Sequence, residues 1–131
     1  MNNLLIITTG GTIDKIVGDA AVGIFNAPLD QPDHRERAVN CALAMAVISE
    51  EFISKLNERG YEFGITRVGV NSGQAIVGNF GGAERFDYTA HGDAINTAAR
   101  LESVNKHLGT RICIAGTTAA GCPDHFFRPV G

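Results

Sequence analysis

Tryptophan is absent from these 131 residues, and cysteine, proline and tyrosine number only three, four and two. The cysteines (Cys41, Cys113 and Cys122) are odd in number and form no Cys-x-x-Cys pair. Reduced, cytoplasmic thiols are therefore expected, and neither a disulfide framework nor a zinc site is. Positive charge is scarce as well: eleven Lys+Arg face fourteen Asp+Glu, a formal net charge of −3. A nucleic-acid polymer is not expected as a partner, because phosphate backbones need a net or clustered basic surface. Long apolar runs are missing too. A membrane span needs roughly 20 residues, whereas the longest run here, Cys41 to Ile48, has eight. The head Met1-Asn2-Asn3 lacks the basic stretch of a secretory signal. What remains is one packed domain over residues 1–131, with an atypical strand–turn head over 1–10.

Glycine is abundant, with sixteen residues where a share of about 7% is usual. Many of these glycines mark boundaries. Leu4 to Thr9 is apolar and β-branched, reads as a buried strand, and stops at Gly10-Gly11. Thr12–Val17 and Ala20–Phe25 read as extended pieces joined by a tight Gly18-Asp19 turn. Asn26–Pro32, with two prolines, reads as loop. From His34 to Arg59 the period is helical: Val39, Leu43, Ala46, Val47, Ile53 and Leu56 fall on one face, Asp33 suits the N-cap, and Gly60 ends the helix.

Phe63–Asn71 and Gln74–Phe80 suit an antiparallel pair turning at Ser72-Gly73. Asp93–His107 reads as a second helix closed by Gly109, and Arg111–Ala115 as a further strand. Phe126–Gly131 begins an element that is not finished. The expected architecture is α+β, an antiparallel-rich sheet with helices packed on one face.

Two groups of residues carry chemistry. Lys15 and Asp19 place a cation and a carboxylate around a glycine turn, where a divalent ion finds hard oxygen ligands. Taken alone, an ordinary hairpin turn accounts for them better than a site does. Asn96 and Arg100 lie four apart on the second helix, hence on one face. An amide and a guanidinium one turn apart can hold a sugar and a phosphate oxygen. A surface helix whose Arg100 pairs with Glu102 or Asp93 explains them equally well. The four histidines (His34, His91, His107 and His125) share no metal-ligand spacing and read as surface or packing residues. Cys41 and Cys113 read as core, Cys122 as an exposed loop thiol.

Linked segments tip this balance. Gly11-Thr12-Ile13-Asp14-Lys15-Ile16-Val17-Gly18-Asp19-Ala20 with Phe25-Asn26-Ala27-Pro28 resembles the catalytic domain of class III adenylate cyclases. So do Val68-Gly69-Val70-Asn71-Ser72-Gly73 and the run from Asp87-Tyr88-Thr89 through Asn96 and Arg100 to Glu102. The resemblance implies a ferredoxin-like cyclase fold that converts ATP to cyclic AMP and pyrophosphate by attack of the ribose 3′-hydroxyl on the α-phosphorus. By the same resemblance Asp19 is the second of two metal-binding aspartates, for Mg²⁺ or Mn²⁺. Lys15 and Thr89 read adenine, Asn96 orients the ribose, and Arg100 stabilises charge on the reacting phosphate. The family site lies at a head-to-tail dimer interface, so a homodimer or higher self-association is expected.

The resemblance also implies parts that these residues do not supply. A first strand bearing a metal aspartate, a Phe-Thr phosphate turn with two helices, and a closing strand pair with a phosphate-binding lysine have no match here. The expectation is a cyclase domain shortened at both ends, incomplete in its sheet, with little or no turnover. The alternatives are a non-catalytic dimerising or nucleotide-binding fragment and an engineered chimera. The chimera arises because Leu5-Ile6-Ile7-Thr8-Thr9-Gly10-Gly11-Thr12-Ile13-Asp14-Lys15 resembles the N-terminus of bacterial-type asparaginases, with Thr12 at that family's nucleophile. Nothing later in the chain supplies the partners such a nucleophile needs, so the head is expected to rearrange the fold at most, without amidohydrolase chemistry.

Overall fold

The computed structural model describes residues 3–10, 21–27, 29–62, 64–79 and 88–130. Its elements are β1 (Asn3–Gly10), β2 (Ala21–Phe25), α1 (His34–Glu58), β3 (Arg67–Gln74), β4 (Ile76–Asn79), β5 (Tyr88–His91), α2 (Asp93–Leu108), β6 (Ile112–Ile114) and α3 (Gly116–Ala119). Four strands form a sheet in the order β2-β1-β3-β6, and β4 pairs with β5 in a separate ribbon. β1 lies inside the sheet, antiparallel to β2 (Ile6 opposite Ile24) and to β3 (Ile7 opposite Val70). β6 joins β3 in parallel. The α+β, antiparallel-rich expectation holds. The expected extended piece Thr12–Val17 and the Gly18-Asp19 turn lie outside the described residues.

The two long helices divide between the faces of the sheet, where the sequence placed them on one. β3 decides this, since successive residues of a strand point to opposite sides. Val68 and Val70, fully buried, pack with Ala38 and Ala42 of α1. Gly69 and Gly73, on the other face, lie against α2: a Cβ on Gly69 would strike the backbone of Ala98 and Glu102, and one on Gly73 would stand 2.8 Å from the Ala94 Cβ. β2 repeats the division, with Phe25 packed on the α1 side and Ile24 on the α2 side.

That geometry overturns the expected Ser72-Gly73 turn. β3 runs straight through both residues, opposite Leu5 and Leu4 of β1, and β4 pairs with β5 rather than with β3. Gly73 is there for helix approach, not for chain reversal. The buried stripe of α1 is also narrower than the apolar periodicity suggests: Ala38, Val39 and Ala42 are buried, whereas Leu43 is 46% and Val47 57% exposed. Small alanines bring the helix close to the sheet and leave the larger side chains at its flank.

Helix ends follow local chemistry with one exception. Gly109 closes α2 in the left-handed conformation at φ 66°, as expected. Asp33 stands at the N-cap of α1 but caps nothing; its carboxylate takes the Arg37 Nε at 2.7 Å, which holds its pKa below the usual carboxylate value. The loop between β2 and α1 is closed by a reciprocal pair, Asn26 N–H to Gln31 Oε1 at 2.9 Å and Gln31 N–H to Asn26 Oδ1 at 2.5 Å.

Candidate functional site

α2 reaches the sheet through its small residues. Ala94 and Ala98 are buried against β3, so Asn96 and Arg100, on another side of the same helix, are left exposed. They stand one turn apart as the spacing requires, about 5–6 Å between Cβ atoms. Among the described residues neither makes a side-chain hydrogen bond or ion pair, and Arg100 pairs with neither Glu102 nor Asp93. An amide and a guanidinium are thus presented together on the exposed side of α2.

Two buried asparagines fix this helix to β3. Asn71 Nδ2 donates to the Ala94 carbonyl at 3.0 Å. Asn105 Nδ2 donates to the Val68 carbonyl at 3.0 Å and to the Leu101 and Glu102 carbonyls at 3.2 and 3.1 Å, while its Oδ1 accepts from the Thr110 hydroxyl at 2.7 Å. Asn71 was visible in sequence only as part of the Val68–Gly73 segment, and Asn105 not at all. The signal for Asn105 is its position: an amide late in a helix, on the side of Ala98 and facing the sheet.

Thr89 lies on β5, opposite Gly78 of β4, and the chain passes from β5 through Gly92 into α2. Lys15 and Asp19 lie outside the described residues. Among the described residues no group of three or more His, Cys, Asp or Glu side chains could hold a metal ion. Asp19, the ligand that the resemblance implies for Mg²⁺ or Mn²⁺, is not among those residues, and β1 (Asn-Leu-Leu-Ile-Ile-Thr-Thr-Gly) carries no carboxylate.

Other features stand apart from Asn96 and Arg100. A cavity of about 250 Å³ is lined by Val39, Leu43, Ile112, Ile114, His125 and Phe127 among others, and includes neither residue. Cys41, Cys113 and Cys122 are free thiols. Cys113 is buried as expected, but Cys122 is only 1% exposed rather than a loop thiol, because α3 and the turn after it fold its backbone back, N–H to the Ala119 carbonyl at 3.0 Å. Burial pushes both the Cys113 and Cys122 thiols up from their ordinary pKa. No described helix is long and apolar enough to cross a membrane.

Comparison with known proteins gives this arrangement a family. Adenylate cyclase 1 of Rhizobium meliloti (strain 1021) is 42% identical over 122 residues, 92% of this chain and 18% of that protein. An adenylate cyclase of Anabaena cylindrica is 32% identical over 127 residues, 89% of this chain and 24% of that protein. The chain thus spans about a fifth to a quarter of these curated relatives. Among solved structures, the guanylyl cyclase Cya2 superposes with a TM-score of 0.76 at 24% identity, covering 99% of this chain and 86% of that one. The adenylyl cyclase CyaB from P. aeruginosa gives a TM-score of 0.74 at 26% identity, covering 93% and 81%. The sequence model of the adenylate and guanylate cyclase catalytic domain matches residues 5–125, and this span takes in most of β1, so the asparaginase-like reading of that strand is not supported. With that match over nearly its whole length, the chain belongs to the family of adenylate and guanylate cyclase catalytic domains.

Proposed function

We propose that this domain is an adenylate-cyclase-type, ATP-selective nucleotide site, and that the 131-residue chain by itself turns over little or no ATP. The observation that carries the reading is the exposed Asn96–Arg100 pair, without side-chain partners among the described residues, within a chain 42% identical to a protein named an adenylate cyclase. Arg100 contacts phosphate oxygens, where its guanidinium stabilises developing charge. Asn96 hydrogen-bonds the ribose and orients it. Lys15 donates to an adenine ring nitrogen and Thr89 accepts from the exocyclic amine. Guanine reverses donor and acceptor at both edges and would leave buried groups unpaired, at a cost of about 1–3 kcal/mol each.

We expect weak turnover from these 131 residues taken alone. Asp19 is one carboxylate where the family arrangement needs two, and these residues include no match for the phosphate turn or the closing lysine. Each lost electrostatic contact of this kind costs ~10²–10³ in rate. Self-association belongs to the same reading. Family sites are completed by a second subunit, and Ile48 (65% exposed), Phe52 (60%) and Ile76 (64%) offer apolar surface to bury. Light scattering showing a clean monomer at micromolar concentration would count against it.

A competition titration of ATP against GTP tests the purine reading. Tighter ATP binding that Lys15→Glu weakens or inverts is expected. GTP binding equal or tighter, with Lys15→Glu making no difference, overturns it.

A further inference from the structure

α2 rests on β3 backbone against backbone at Gly69, and with only the Ala94 Cβ between them at Gly73. Ala94 and Ala98 are small apolar side chains at this seam, and directional bonds add a restraint on the helix along and around its axis. The two buried amides supply that restraint. Asn105, 1% exposed, anchors the late turns through the Val68 carbonyl. Asn71, 7% exposed, anchors the first turn through the Ala94 carbonyl. The first turn is packed apolarly, with Ala94 and Ile95 against Ala75, Ile24 and Ala27, but the N-cap residue is Gly92 and no side-chain cap bond is made there. Asn96 follows Ala94 by two residues, and Arg100 lies one turn further on. With the Asn105 end held, the Asn71 bond is the directional hold on the end of α2 that carries Asn96.

We infer that Asn71 is a positioning residue for the Asn96–Arg100 face: its amide sets the tilt of the first half of α2 over β3. The inference rests on the reading of that face as nucleotide-contacting, and it names a residue that touches no nucleotide itself.

The test uses the 131-residue protein as Asn71→Ala, as Asn71→Ser (which keeps a donor), and as Val39→Ala. The last is a control on α1, outside the apolar cluster that packs the first turn of α2. Residual dipolar couplings of the backbone amides report the orientation of α2 relative to β3, and an ATP titration reports affinity. Asn71→Ala is expected to tilt α2 and weaken ATP binding roughly tenfold, and Asn71→Ser to recover part of both. Val39→Ala is expected to lower the melting temperature while leaving orientation and affinity unchanged. If Asn71→Ala melts earlier yet keeps the native α2 orientation, Asn71 is merely structural and the inference falls. Should Asn71→Ala not fold, a small tilt in Asn71→Ser supports the inference and an unchanged orientation contradicts it. If the unmodified protein binds no ATP, the nucleotide reading fails, and the couplings still decide the positioning role.

Discussion

Gly69 of β3 and Ala98 of α2 meet backbone to backbone, with the Ala98 carbonyl oxygen occupying the space a Gly69 Cβ would need. A rigid backbone cannot yield as the end of a flexible side chain can. Gly69→Ala is therefore expected to destabilise the fold by about 2–4 kcal/mol, through forced separation of α2 from the sheet. Gly116, with open space around it and a place at the start of α3, should accept alanine without loss. Chemical denaturation of the two variants checks the contrast.

Asn105 replaced by alanine strips one amide of four partners at once: the Val68, Leu101 and Glu102 carbonyls and the Thr110 hydroxyl. The Val68 carbonyl and Thr110 lose a designed partner, while Leu101 and Glu102 keep their helical bonding. The expected loss is roughly 2–4 kcal/mol, read as a lower denaturant midpoint with an unchanged slope.

His34 gives the stability a pH dependence. Burial, reinforced by the Arg35 guanidinium and opposed by Asp33, holds its pKa below the ordinary 6.5. The unfolded chain then takes up the proton before the folded one does. Stability from this group is complete above the unfolded pKa and is lost as pH falls from there toward the folded value, at up to about 1.4 kcal/mol per pH unit. Melting curves between roughly pH 7 and pH 5 should show a decline that His34→Gln flattens. An equal decline in the variant would assign it to other groups.

The elements that sequence reads well here are those with a strong local signal. α1 was bounded within a residue by its period and Gly60, and α2 by its period and Gly109. Asn96 and Arg100 share a face because four residues on a helix must. Glycine in β3 was the misleading signal. Gly73 serves turns and close approaches alike, and only the position of Ala94 shows which of the two it serves. The placement of α1 and α2 on opposite faces depends on the same long-range packing. α3, four residues of Gly-Thr-Thr-Ala, is too short for any period to show, and Cys122 was misplaced with it. Leu4–Thr9 was legible as a strand, but its inner position between β2 and β3 is a matter of pairing partners far away in sequence.

Arg100 is exposed and unpaired among the described residues, so Arg100→Ala should leave the melting temperature where it is. ATP affinity should fall by roughly ten- to a hundredfold with the loss of one charge-assisted contact of about 1.5–3 kcal/mol. Unchanged affinity would remove Arg100 from the site.

Cyclic AMP formation from ATP by the unaided 131-residue chain, with magnesium or manganese supplied, tests the central claim most directly. The account predicts synthesis at or near background, and recovery of turnover when a family-like first strand with its aspartate and closing strands with their lysine are restored. That recovered turnover should then be abolished by Asp19→Ala or Arg100→Ala. Robust metal-dependent cyclic AMP synthesis by the unaided chain would contradict the account, and would mean that another carboxylate, with Asp14 the first to substitute, completes the site.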